Sequence, residues 1–255
     1  MLLHFNYGEL FLLVISGMGI LVYLVCIAIS NPYYKKWPIS RMILWILGVL
    51  LAVSAVVGPI AARAHHDFVF HMIGHLLLGM LAPLLLVLSA PMTLLLRTLS
   101  TSHARRLTTI LRSKPVQFVT NPLTASVLNI GGLWLLYTTN LYKMMHHYLT
   151  LHVLIHIHVF LVGYLFTVSM IYIDPMPHRK SYFYRAIVFV LALTGHGILS
   201  KYIYAFPPTG VAQTQAEQGG ILMYYGGDAV DLILIIIFCS QWYRACRPKN
   251  VVLSS

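Results

Sequence analysis

Apolar runs of about 20 residues or more recur along nearly the whole sequence, and each is long enough, as a helix rising about 1.5 Å per residue, to cross the hydrocarbon core of a bilayer. Hydrophobic residues make up 59% of the 255, charged residues 9%, and mean hydropathy is +0.80, so the chain reads as a polytopic membrane protein. The pattern predicts seven spans, at about 8–30, 40–60, 68–90, 121–140, 151–173, 184–205 and 219–241. They leave no soluble domain of useful size. The expected fold class is therefore all-α, a seven-transmembrane-helix bundle forming a single domain over residues 1–255.

Lys and Arg set the expected orientation, because short loops rich in them stay cytoplasmic. Lys35, Lys36 and Arg41 follow the first span, and Arg97, Arg105, Arg106, Arg112 and Lys114 follow the third. Arg179, Lys180 and Arg185 follow the fifth, and Arg244, Arg247 and Lys249 follow the last. Only Arg63, Lys143 and Lys201 fall on the opposite side, which puts the N-terminus outside and the C-terminus in the cytoplasm. The formal charge of +11 does not mark a nucleic-acid binder, since the basic residues alternate between loops and lack interleaved stacking aromatics; topology and anionic headgroups explain them. The first hydrophobic segment has no basic n-region and no small-residue cleavage site, and is read as a retained span. Cys26, Cys239 and Cys246 form no Cys-x-x-Cys and are expected to remain thiols.

No repeat or linker divides the chain. The polar stretch 97–121 is expected to be a solvated, orientation-setting loop, with a short amphipathic helix on the headgroups as the alternative. Pro59, Pro83 and Pro91, and Gly195 and Gly197 beside His196, are read as packing features that let helices bend or approach.

Two segments carry a His-x-x-x-His pair near the same end: His71 and His75, and His152 and His156. Four residues of helix advance about 6 Å and turn about 40°, which puts both imidazoles of a pair on one face. His71 and His152 should lie about one turn below the outer surface and His75 and His156 one turn deeper, with His196 at about 12 Å and Asp228 at about 14 Å. Ionisable groups are costly in hydrocarbon and turn toward a bundle interior, so two such pairs at matching depth point to a metal site.

Imidazole suits copper and zinc, and thioether sulfur shifts the preference toward Cu(I). Met223 is the thioether candidate, with core packing as its ordinary role; Met72 adjoins His71 but points about 100° away from it. Asp228 is assigned to orienting a ligand imidazole, with direct ligation as the alternative, and Asp231 to an interhelical hydrogen bond. His158 points away from the His152 face. His65, His66, His146 and His147 fall in outer loops, where solvation explains them; in a functional reading they relay an ion inward.

Three stretches, HMIGHLLLGMLAPLLLVLSAP at 71–91, HVLIHIHVFLVGYLF at 152–166 and EQGGILMYYGGD at 217–228, resemble the CtaG family of cytochrome c oxidase assembly factors. The likeness extends from about Arg41 to Trp242, with departures at Leu84, Ser89 and Tyr224, none of them a proposed ligand. It implies a non-enzymatic role in the cytoplasmic (inner) cell membrane, maturing a haem-copper oxidase. It also implies copper, with Cu(I) favoured and zinc the alternative, and as partners the oxidase subunits, the lipid bilayer and a copper-donor protein. The resulting site is His71, His75, His152 and His156, with His196, Met223 and Asp228 around them. The rival reading is a seven-span zinc hydrolase, with Asp228 as general base. Bis-histidine haem and a transporter fit less well, because an axial ligand needs no second histidine on its helix and the ionisable groups form no inward chain.

Overall fold

A computed structural model describes residues 7–247, and among these every regular element is helical. Lys249, one of the residues used to orient the chain, lies outside them. Helix α1 (Tyr7–Ser30) is followed by α2 (Ile39–Val56) and the short α3 (Pro59–Ala64). Next comes α4 (Phe68–Leu76), which runs through a π-helical turn at Leu77–Leu81 into α5 (Ala82–Leu88). The peripheral α6 (Pro91–Thr98), α7 (Thr101–Leu111) and α8 (Lys114–Val119) lead to α9 (Pro122–Thr138) and α10 (Leu141–His147). Three long helices complete the fold: α11 (Leu149–Met170), α12 (Tyr182–Ala205) and α13 (Gln213–Cys246).

Among the described residues, six segments are long and apolar enough to cross a membrane: Tyr7–Ser30, Ile39–Ala64, Phe68–Leu88, Leu149–Met170, Tyr182–Ala205 and Gln213–Cys246. The span expected at 121–140 is α9, whose 17 residues rise about 25 Å, less than the about 30 Å of hydrocarbon. The stretch 97–121 is not a loop. It holds α7 and α8, because Leu107, Ile110 and Leu111 recur at helical spacing among Arg105, Arg106 and Arg112 and give α7 one apolar face.

Five units close into a ring. The α4–π–α5 segment packs on α13, α13 on α12, α12 on α9, α9 on α11, and α11 returns to the π turn and α5. Helices α1 and α2 stand outside this ring, α2 against α5 and α1 against α2 and α6.

Glycine makes the ring tight. On α13, Gly219 and Gly226 are seven residues apart, two helical turns, and share a face. A Cβ added to them would lie 2.6 Å from Phe68 and 2.5 Å from Leu76, both on α4. Their neighbours Gly220 and Gly227 face α12 instead, where a Cβ would meet the Ser200 carbonyl at 2.9 Å and the His196 ring at 2.5 Å. The doubled glycines thus let one helix lie close to two others. On the far side of the ring, a Cβ at Gly163 of α11 would run into the carbonyl of Gly79 in the π turn. That turn is widened by an i→i−5 bond from the Ala82 N–H to the Leu77 carbonyl, and it ends at Pro83, which has no N–H to donate.

Arg185, counted above among the cytoplasmic charges, is buried at 1% exposure near the start of α12. Its guanidinium donates to the Met170 carbonyl and lies 4.0, 4.3 and 5.1 Å from the ring centres of Tyr172, Tyr182 and Phe238. Cation–π attraction in place of a carboxylate partner ties the end of α11 to α12 and α13. The three cysteines are free thiols.

Because the α11 crossing leaves no room for a methyl group, Gly163→Ala is expected to destabilise the bundle by about 1–3 kcal/mol, the usual cost of overpacking. Gly131→Ala, where nothing lies within 4 Å of the added Cβ, is the matched control and is expected to melt no lower than the parent. Thermal unfolding of both variants in detergent is the measurement.

Candidate metal centre

Asp67 starts the site by capping α4: its carboxylate accepts from the backbone N–H groups of Val69 at 2.8 Å and Phe70 at 3.4 Å. The Phe68 N–H donates to Gln215 at the start of α13, fixing the outer end of α4 in the ring. One turn in, His71 is 8% exposed and its Nε2 is hydrogen-bonded to the Tyr137 hydroxyl of α9 at 3.0 Å. Its ring centre stands 5.0 Å from Tyr142 and 6.4 Å from His146, both on α10.

Across from α4, the His152 and His156 rings of α11 stack at 4.2 Å. The spacing read from the sequence is realised here as ring contact. His156 Nδ1 lies 2.8 Å from the His152 carbonyl; a carbonyl can only accept, so Nδ1 carries the proton and Nε2 keeps its lone pair. A ring nitrogen tied to a backbone carbonyl in this way is the usual arrangement of a metal-ligating histidine.

His65 and His146 join them. The His65 ring stacks on His152 at 5.2 Å and stands 6.1 Å from His146, and His71 is within electrostatic reach of His146, His152 and His156. Five imidazoles from α4, α10, α11 and the turn before α4 are therefore contiguous. Beside them opens a vestibule of about 280 Å³ lined by His65, His66, Asp67, Lys143, His146 and His147, among others. His146 Nε2 is buried without a hydrogen-bond partner. Burial, and then the neighbouring His65, hold His146 below the ordinary imidazole range, so the ring is neutral with a lone pair to offer.

The four histidines expected in one site divide into two groups. His75, 7% exposed, turns away from His71 by the offset of one helical turn and faces α12, where its ring stacks on His196 at 6.3 Å. Among the described residues no ring contact joins His75 to His152 or His156. Asp228 is exposed and is not beside the imidazoles, whereas Asp231, three residues on, is 5% exposed and lines a cavity with His75 and His196. Of the two aspartates it is therefore Asp231 that shares a cavity wall with buried imidazoles. Met223 is fully buried in an apolar cluster with Met72 and Met145, next to Phe68, Tyr137 and Tyr142, against which the His71 ring packs. His158 is exposed and sits against Gly132 of α9, apart from the other rings.

The signal for His65 and His146 was present in the sequence: two His-His pairs flank the α4 and α11 starts at the same end. Their place in the cluster depends on α10, a helix of about two turns that folds back over the site and turns Met145 inward and His146 toward His71. Among the described residues no three His, Cys, Asp or Glu side chains already stand close enough to enclose an ion. A metal held here would draw the rings together by side-chain rotation.

Residues 21–245 match the family described as cytochrome c oxidase caa3 assembly factors. An uncharacterized protein of Mycobacterium leprae is 28% identical over 231 residues, covering 82% of this chain and 35% of its own. One from Mycobacterium bovis is 36% identical over 161 residues, covering 58% of this chain and 23% of its own, and one from Mycobacterium tuberculosis gives the same figures. The chain thus spans about a third or less of the length of these relatives. No solved structure matches.

The Tyr137–His71 bond makes the two residues one unit. Tyr137→Phe is expected to cost about 1 kcal/mol, and in a His71→Ala background to cost almost nothing. Melting temperatures of the two single variants and the double variant measure the coupling; strictly additive losses would contradict it.

Proposed function

The chain belongs to the cytochrome c oxidase caa3 assembly factors, and from that premise we propose that it carries copper, as Cu(I), on the outer face of the cell membrane and passes it to the oxidase. The observation that carries this reading is the unbroken run of imidazoles from the open vestibule into the bundle: His146 and His65, then His152 and His71, then His156.

The donors suit the cargo. Neutral imidazoles bind copper without adding charge to the membrane region, and the unpartnered His146 Nε2 and the fixed tautomer of His156 each offer a lone pair. The thioethers of Met72, Met145 and Met223 behind His71 are soft groups of the kind that favour Cu(I) over harder ions. Transfer in this reading is ligand exchange. A donor group of the oxidase displaces one imidazole at a time, with no covalent step and no change of oxidation state.

Seven spans with the N-terminus outside complete the picture, α9 crossing at the short limit of spanning length and the lysine and arginine bias placing the vestibule on the non-cytoplasmic side. A copper-donor protein would dock over that vestibule, whose opening is ringed by histidines. The exposed position of Asp228 counts against the role of general base that a zinc hydrolase would assign to it.

Two measurements test this. In competition with a Cu(I) chelator, His152→Ala/His156→Ala is expected to bind at least about 10–100-fold more weakly than the parent, the loss seen even when only an outer-sphere partner of a ligand is removed. Cells carrying it should make oxidase short of copper; unchanged affinity would end the proposal. With the native cysteines replaced, Lys143→Cys is expected to react with an impermeant thiol reagent added to intact cells, and protection until lysis would reverse the orientation.

A further inference from the structure

The His75–His196 pair lies deeper than the copper cluster and shares no ring with it, and its chemistry is different. Each ring presents a buried Nε2 with no hydrogen-bond partner, one from α4 and one from α12. Two orphaned nitrogens in the middle of a bundle are a cost of about 1–3 kcal/mol each unless something completes them.

Their surroundings are built to seat them. Gly227 leaves the space that the His196 ring occupies, since a Cβ there would come within 2.5 Å of it, and a Cβ added at Gly79 would touch the His75 ring at 3.5 Å. The π-helical turn begins two residues after His75, and such turns interrupt α-helices most often at functional sites. Both rings line a cavity of about 20 Å³, reached by all five units of the ring and large enough for a single water or a bare ion. The other polar groups on its wall are Asp231 of α13, Asn129 of α9 and Thr167 of α11. Asp228, one turn before Asp231 on α13, is within electrostatic reach of it.

We propose that His75, His196 and Asp231, which would be drawn together by side-chain rotation because they do not already enclose an ion, form a second, inner metal site that takes a divalent first-row cation such as zinc(II). Two imidazoles and one carboxylate are a borderline-to-hard donor set, which suits a divalent ion and lacks the sulfur that would favour Cu(I). The carboxylate offsets one of the ion's two charges, and the cavity is of a size to take the bare ion. The ion would fasten α4, α12 and α13 together just inside the cargo cluster. The site stands independently of the copper reading, because it uses none of His65, His71, His146, His152 or His156.

The test uses full-length protein in detergent, stripped with a chelator, exposed to zinc(II), desalted and assayed by elemental analysis. A variant lacking four of the five outer imidazoles, His65→Ala/His146→Ala/His152→Ala/His156→Ala, is expected to keep one equivalent of zinc and to melt higher with it than without. Adding Asp231→Asn or His196→Ala should abolish both the equivalent and the thermal shift. Asp231→Asn is nearly isosteric and keeps the test valid where His196→Ala does not fold. Loss of zinc from the outer variant alone, or its retention after Asp231→Asn, would overturn the proposal, as would a cavity that stays merely hydrated. Asp231→Asn in the otherwise native chain should leave Cu(I) affinity unchanged, so failure of the inner site and failure of the copper reading are separate results.

Discussion

Close backbone approach at glycine is the constraint on which the remaining structure rests. Without Gly219 and Gly226 against α4, Gly220 and Gly227 against α12, and Gly163 against Gly79, the five-membered ring would open by about the width of a methyl group at each contact. The imidazoles would then face slack space filled by lipid or water. Between helices in a bilayer there is little hydrophobic force to close such gaps, and packing of small residues does that work. The same contacts explain the motif EQGGILMYYGGD in physical terms: its two Gly-Gly pairs, two turns apart, serve two different neighbours.

Once the ring is closed, the polar groups sort by face. One helical turn separates His71 from His75, yet the first turns to Tyr137, Tyr142 and His146 and the second to His196. Helix α4 thereby contributes to two groups of imidazoles at two depths. The outer group opens on the vestibule, and the inner one lines a small cavity between the five units of the ring. An exchangeable ion fits the first environment and a resident ion the second.

Much of this was readable from the residues. Hydropathy located six of the seven expected spans among the described residues; α9 is shorter than expected, and α13 extends further at both ends. The i,i+4 spacing of His152 and His156 put both imidazoles on one face, where they are found stacked. The partition of the four histidines was not readable, because the 40° offset within a pair gains meaning only when the neighbours on each side are known. The same holds for Asp228 and Asp231. Three residues apart on one helix, they differ in exposure because Asp231 faces the cavity inside the ring and Asp228 does not, and a sequence gives no sign of which face a neighbour will cover. Arg185 shows the reverse case: a cation counted for topology proves to be a buried clasp among aromatic rings.

The most direct test of the copper cluster is X-ray absorption at the copper edge on protein loaded with one equivalent of Cu(I). Nitrogen ligation with the outer-shell scattering of imidazole rings, lost when His152 and His156 are replaced by alanine, is the expected result. A spectrum that survives that replacement unchanged, or one showing sulfur ligands alone, would mean that the ion is held somewhere other than among these histidines.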